Sequence, residues 1–122
     1  MENLILEPTG KTPGVKFETT GILEISGASV PENPVAFYQP LYKWIDDFVA
    51  TPVDNIEFKL QFEYFNTASS RCLYEMLKKF EKVSKTKKVI VSWYYEKGDS
   101  DMLDTGSEYS SLVDVPFQFT EH

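Results

Sequence analysis

Hydroxyl and amide side chains fill four of the five positions from 66 to 70, which read Asn-Thr-Ala-Ser-Ser. This run follows a segment of alternating apolar residues and precedes an amphipathic one, so it predicts a junction between a strand and a helix. The first turn of a helix has free backbone N–H groups and a partial positive charge, which stabilise a bound phosphate. A hydroxyl placed there is exposed, and its phosphorylation would add about 1.5 to 2 negative charges.

Local chemistry leaves two interpretations of this run open. Asn, Thr and Ser are the commonest helix caps, and one cap stabilises a helix by about 1 kcal/mol. Capping explains Asn66 or Thr67, but it needs only one such residue and leaves Ser69 and Ser70 unexplained. The run therefore offers the hydroxyls of Thr67, Ser69 and Ser70 for phosphorylation. Arg71 follows closely enough to pair with a new phosphate group.

A second candidate site is an acidic segment near the carboxyl end of the chain. Oxygen-rich clusters of this kind can bind magnesium or calcium. The spacing does not match a calcium-binding helix–loop–helix loop, and we expect these acids to cap and charge the start of a helix. A partner-facing acidic rim and a small divalent-metal-dependent hydrolase or lyase remain as alternatives. The four residues are Asp99, Asp101, Asp104 and Glu108.

The other reactive side chains favour a protein that is not an enzyme and carries no cofactor. The only histidine is His122, the last residue, so a Ser-His or Cys-His pair within the fold is hard to build. Zinc lacks its usual ligand set, and no glycine-rich loop for phosphates is present. Cys72 lies within a predicted helix, where a buried apolar role is the commoner one.

Hydrophobic patterning predicts one domain over residues 1–122, with α/β (α+β) architecture. Residues 15–18 and 22–25 are expected to pair across a turn, and 27–34 to form a loop. Asn33-Pro34 is a helix start, although Pro40 predicts a kink or a later start in that first helix. The acidic stretch 96–111 is expected to be a loop that leads into a short helix. Further strands are predicted at 4–7, 56–65, 89–95 and, as an edge strand, 116–119.

Strict alternation from Ile56 to Phe65 predicts a strand with one buried and one solvated face. Ile56, Phe58, Leu60, Phe62 and Tyr64 are expected to point together into the core. A strand covered by helices on both faces would be apolar throughout, so we expect a mixed sheet with helices mainly on one face. The unit from residue 56 to residue 95 is expected to be a right-handed crossover between parallel strands.

Charge and composition restrict the partners and the compartment. The net charge is −7, with 19 acidic and 12 basic side chains, which disfavours nucleic acid and anionic membrane surfaces as partners. A single cysteine, the lack of a recognisable signal peptide and the lack of a long apolar run predict a cytoplasmic protein. One lysine cluster is expected to be the solvated face and carboxyl end of a helix: Lys78, Lys79, Lys82, Lys85, Lys87 and Lys88.

The run from Leu60 to Ser70 resembles the SiaC family of bacterial regulatory phosphoproteins, in which an aromatic-rich strand runs into Asn-Thr-Ser-Ser or a close variant. Ala68 stands where many relatives have serine, which should not affect phosphorylation of the preceding threonine. The resemblance covers nearly the whole chain. The other matching stretches are Pro31-Glu32-Asn33, Val91-Ser92-Trp93-Tyr94-Tyr95, Asp99-Ser100-Asp101-Met102-Leu103 and Pro116-Phe117.

This resemblance implies a fold similar to the anti-sigma-factor antagonist (STAS) domains and a partner-switching function. A dedicated serine/threonine kinase would phosphorylate Thr67, and a PP2C-type phosphatase would remove the phosphate. The unphosphorylated form would bind and regulate an effector, which is a diguanylate cyclase in the best-understood system. The residues alone do not identify the effector of this chain. An interaction module that is never modified is the remaining alternative.

Overall fold

The computed structural model describes all residues 1–122, which alternate between strands and helices after an initial hairpin region. The strands are β1 (Leu4–Leu6), β2 (Gly14–Phe17), β3 (Ile22–Ser29), β4 (Asn55–Phe65), β5 (Lys88–Tyr95) and β6 (Phe117–Glu121). The helices are α1 (Pro34–Val49), α2 (Thr67–Val83) and α3 (Ser100–Leu112).

The six strands form one mixed sheet in which spatial order equals chain order. β1, β2 and β3 pair antiparallel, whereas β3, β4, β5 and β6 pair parallel. The three crossovers all proceed in the same direction across the sheet. Crossovers of one handedness that proceed in one direction place their helices on the same face. The predicted mixed sheet, the antiparallel pairing of the second and third strands and the parallel strand–helix–strand unit are confirmed.

Aromatic contacts show that all three helices cover one face of the sheet. The ring centroids of Trp44 in α1 and Phe17 in β2 lie 5.3 Å apart. Those of Phe80 in α2 and Phe58 in β4 lie 4.7 Å apart. Tyr109 in α3 lies 5.7 Å from Trp93 in β5. Pairing between the strands places the three sheet residues on the same side, so the expected one-sided packing is confirmed.

One side chain of β4 points the opposite way from our prediction. The register between β3 and β4 shifts after Gly27, which pairs with Phe62, whereas the next residue, Ala28, pairs with Tyr64. β4 thus contains one extra residue at this point, which reverses the alternation beyond it. Tyr64 is 58% exposed and does not lie in the core as predicted.

Several element boundaries in the structure differ from the predicted ones. The expected loop 27–34 is wrong for its first three residues, because β3 continues to Ser29 with Gly27 at a φ of 101°. α1 begins at Pro34 as predicted, is capped by Asn33, and continues through Pro40. The stretch 96–111, expected to be a loop that leads into a short helix, has only a brief loop, because α3 begins at Ser100 and continues to Leu112. β6 is an edge strand, as predicted, and pairs with β5 only. None of the helices is long and apolar enough to cross a membrane.

Candidate functional site

The junction between β4 and α2 has the predicted strand-to-helix geometry. Asn66 has extended backbone dihedrals, and its side-chain Oδ1 accepts a hydrogen bond from the Ser69 N–H at 2.9 Å. Asn66 is therefore the helix cap, and Thr67 is the first helical residue. Thr67 is exposed, and its hydroxyl has no hydrogen-bond partner in the structure. Capping thus accounts for Asn66 and leaves the Thr67 hydroxyl free.

Ser69 lies in a buried chain of hydrogen bonds beneath this turn. Its hydroxyl is fully buried and donates to the Ser29 carbonyl oxygen at 3.0 Å. The Ser29 hydroxyl donates to Ser69 Oγ at 2.9 Å and lies 2.6 Å from the Tyr38 hydroxyl. The Asn66 N–H also donates to the Ser29 carbonyl oxygen. These bonds attach the start of α2 to the end of β3 and to α1, and they remove Ser69 as an accessible phosphorylation candidate.

Ser70 attaches the same turn to α3. Its hydroxyl lies 2.7 Å from the Tyr109 hydroxyl, which also donates to the Ser70 carbonyl oxygen at 2.9 Å. Ser70 is half-buried. The hydroxyls of Ser69 and Ser70, which capping left unexplained, therefore fix the first turn of α2 between its neighbours. Of the three candidate hydroxyls, only that of Thr67 is both exposed and unpaired.

The start of α2 and one nearby arginine supply positive charge close to Thr67. Because β3, β4 and β5 are parallel and each precedes a helix, all three helices begin at the carboxyl end of these strands. Three partially positive helix ends therefore lie at the same edge as Thr67. Arg71 is exposed, forms none of the ion pairs of the structure, and lies four residues after Thr67 on the same helix face.

The four acidic candidates do not converge in the structure. Asp99 caps α3 by accepting a hydrogen bond from the Met102 N–H at 3.0 Å, and Asp101 lies in the first turn. The favoured interpretation, that these acids cap and charge a helix, is confirmed for these two residues. Asp104 and Glu108 are exposed farther along α3. No three acidic, histidine or cysteine side chains come together as a group that could hold a metal ion, so the four candidate residues do not form a cluster.

The other predicted polar groups have structural roles. Cys72 is buried, as expected. In the lysine cluster, Lys79 pairs with Asp46 at 2.9 Å, and Lys78 pairs with Glu81 at 2.6 Å. Glu81 also accepts a hydrogen bond from the Asp114 N–H. The hydrogen bond from Lys78 is the main reason why the pKa of Glu81 is lower than usual.

Burial changes the acidity of the tyrosines around the junction. Desolvation raises the pKa of Tyr38 to about 12, although its hydrogen bond to Ser29 acts in the opposite direction. Desolvation also raises the pKa of Tyr109 and of Tyr42, whose hydroxyl donates to the Cys72 carbonyl oxygen. All three phenols therefore remain neutral hydrogen-bond donors at physiological pH.

Sequence reasoning missed Ser29, Tyr38 and Tyr109 as residues that support the site. Ser29 lies 40 positions from Ser69, and Tyr109 lies 39 positions from Ser70, so local patterning carries no signal for these contacts. The sequence predicts a loop at Ser29, and for Tyr109 a stretch in which a loop leads into a short helix. Only the fold brings them to the first turn of α2.

The fold and the junction between β4 and α2 together define a small α/β protein with its helices on one face of the sheet. Its distinctive feature is the free Thr67 hydroxyl at a helix start that hydrogen bonds hold in place. The family of SiaC regulatory phosphoproteins matches residues 6–122, and the chain belongs to this family. It is therefore a regulatory phosphoprotein by family, and the predicted membership is confirmed.

Solved structures from Pseudomonas aeruginosa share the fold over essentially the full length. SiaC of that organism is 24% identical, with a TM-score of 0.90 and complete coverage of both chains. A crystal structure of the diguanylate cyclase SiaD in complex with its activator SiaC gives a TM-score of 0.92 at 24% identity, covering 98% of this chain and 99% of the other. An uncharacterised protein from strain UCBPP-PA14 is also 24% identical, over 100% of this chain and 98% of its own length.

Proposed function

We propose that this protein is a phosphorylation-controlled partner switch in which Thr67 carries the phosphate. The observation that carries the proposal is the free, exposed Thr67 hydroxyl at the first helical position of α2. A serine/threonine kinase would transfer the γ-phosphoryl group of ATP to Thr67 Oγ1, with loss of the hydroxyl proton and release of ADP. A PP2C-type phosphatase would hydrolyse the phosphoester with water, which regenerates the hydroxyl and releases inorganic phosphate.

The unphosphorylated form is the one that binds the effector in this proposal. In the SiaD complex, the related SiaC is the activator of a diguanylate cyclase, and we extend this partner class to the present chain. The surface around Thr67 is suited to docking, because hydrogen bonds to Ser29 of β3 and to Tyr109 of α3 hold the turn and little order must be gained on binding. The resemblance to anti-sigma-factor antagonists remains part of this proposal.

Phosphorylation would oppose binding through charge and bulk. The phosphate brings about 1.5 to 2 negative charges into the docking surface. An unpaired charge buried at an interface costs several kcal/mol, and each ~1.4 kcal/mol weakens binding tenfold. We therefore expect phosphorylation to weaken the complex about 100-fold or more.

The proposal includes no catalysis by this chain. It is supported by the dispersal of the four acidic residues along α3 and by the position of His122, exposed at the end of β6. The competing metal-dependent enzyme would require those acids to converge. An interaction module without modification would leave the free Thr67 hydroxyl without a role.

Intact-mass spectrometry after incubation with ATP and the cognate kinase tests the modification site. Wild type should gain one phosphate, Thr67→Ser should still gain one, and Thr67→Ala should gain none. Thr20→Ala is a matched control, because Thr20 is exposed at the opposite end of the parallel strands. A phosphate that persists on Thr67→Ala would refute this site. A subsequent PP2C-type phosphatase should restore the original mass of wild type.

A further inference from the structure

We propose that Arg71 reads the phosphorylation state of Thr67. Its guanidinium binds a carboxylate of the effector when Thr67 is unmodified and turns to the phosphate when Thr67 is modified. This inference rests on the proposed function, and it assigns an acidic side chain to the partner at the centre of the interface.

Arg71 is available for such a role in a way that its neighbours are not. It is the only arginine of the sequence, and no other basic side chain occurs between Lys59 and Lys78. The ion pairs of the structure use Lys11, Lys43, Lys78 and Lys79, whereas the guanidinium of Arg71 is exposed and unpaired. The planar guanidinium fork can bind a carboxylate or a phosphate through two parallel hydrogen bonds.

Helix geometry places Arg71 within reach of the modified residue. Residues four apart on a helix lie on the same face, with Cβ atoms about 5–6 Å apart. The buried Ser69 hydroxyl and the bond between Ser70 and Tyr109 fix the intervening turn. Only side-chain torsions must therefore change for the guanidinium to reach a phosphate on Thr67.

Competition between the two anions decides the outcome. The phosphate carries about 1.5 to 2 negative charges and three acceptor oxygens, whereas a carboxylate of the partner carries a single charge. The phosphate is also attached to the same helix, so its pairing with Arg71 costs no association entropy. Phosphorylation would thus add a repelling charge and withdraw the one cation that attracts the partner.

The pairing itself can be measured without an effector. Protein with phosphothreonine genetically encoded at position 67 is prepared as wild type, Arg71→Gln and the control Lys82→Gln, so that no kinase is needed. Lys82 is an exposed cation in the last turn of the same helix. Phosphorus NMR should show a lower second pKa for the phosphate in wild type and Lys82→Gln than in Arg71→Gln. Equal values in all three proteins would overturn the proposed pairing.

Binding to a diguanylate cyclase supplies the second readout. The probe is the cyclase of the same genome that is most similar to SiaD, titrated with the unphosphorylated and phosphothreonine forms. Loss of a charge-assisted bond should weaken binding of unphosphorylated Arg71→Gln about 10- to 100-fold. Phosphorylation should then reduce its affinity by a smaller factor than in wild type. Arg71→Lys should recover part of the affinity, and Lys82→Gln should behave as wild type.

The possible failures are distinguishable. If phosphorylation of wild type does not change the affinity, both the proposed function and the role of Arg71 are refuted. If wild type switches and Arg71→Gln switches by the same factor, only the role of Arg71 is refuted. A folding defect in Arg71→Gln is checked by circular dichroism and by the recovery in Arg71→Lys.

Discussion

Replacing Ser69 by alanine should destabilise the fold, whereas the same change at Thr67 should not. The directed chain of hydrogen bonds runs from Tyr38 through the Ser29 hydroxyl to Ser69 Oγ and back to the Ser29 carbonyl oxygen. Without Ser69 Oγ, one buried hydroxyl proton of this chain lacks an acceptor, although the Ser29 carbonyl still accepts from the Asn66 N–H at 3.1 Å. One unsatisfied buried donor costs about 1–3 kcal/mol.

Urea denaturation measures this difference directly. With a slope of about 1–3 kcal/mol per molar, a loss of ~2 kcal/mol lowers the midpoint by about 1 M, and the slope should not change. Thr67→Ala is the matched control, because an exposed side chain without a partner should alter the free energy of unfolding by no more than about 0.5 kcal/mol. Equal midpoints for the two variants would contradict the assignment of Ser69 to the buried chain and Thr67 to the surface.

Three further predictions concern packing and pH. A Cβ at Gly106 would lie 2.5 Å from Trp93 Nε1, so Gly106→Ala should lower the free energy of unfolding by about 1–3 kcal/mol and alter tryptophan fluorescence. Unchanged emission and stability would contradict the close packing of α3 against Trp93. The pKa of Tyr38 is raised in the folded state, so the free energy of unfolding should be constant up to about pH 10 and fall towards pH 12. Tyrosinate absorbance follows the ionisation of the phenol itself, and titration at the ordinary pKa of 10.0 would refute its burial. The pKa of Glu81 is lowered in the folded state, so its stabilising effect is present above the unfolded-state pKa and is lost on acidification. In urea denaturation, Glu81→Gln should therefore be less stable than wild type at pH 7 and should lose less stability in acid. Identical dependence of stability on pH in the two proteins would exclude the pair with Lys78.

Much of the fold follows from local patterns. The strict alternation of β4 predicted a single buried face, and the helices do lie on one side of the sheet. Asn33 was recognisable as a cap because it directly precedes a proline at a helix start, whereas the cap of the second helix was open between Asn66 and Thr67 and the structure assigns it to Asn66. Where α3 begins was less evident, since a glycine and several serines weaken its apolar stripe.

Contacts between distant segments were beyond local reasoning. The extra residue in β4 arises from pairing with β3 and turns Tyr64 outward, which no alternation rule detects. The same limit applies to the site. Asn66, Thr67 and Arg71 were recognisable from their positions along one helix, whereas the role of Ser69 depends on Ser29 in another strand. The sequence therefore identified the turn of the candidate site but not the contacts that hold it.

The affinity of the proposed effector, the diguanylate cyclase most similar to SiaD in the same genome, for the two forms of this protein tests the central claim most directly. Isothermal titration with unmodified protein and with protein carrying phosphothreonine at position 67 gives both dissociation constants under one set of conditions. The partner-switch account predicts binding of the unmodified form and an affinity lower by about 100-fold or more for the phosphorylated form. Equal dissociation constants for the two forms, or tighter binding of the phosphorylated form, would contradict it.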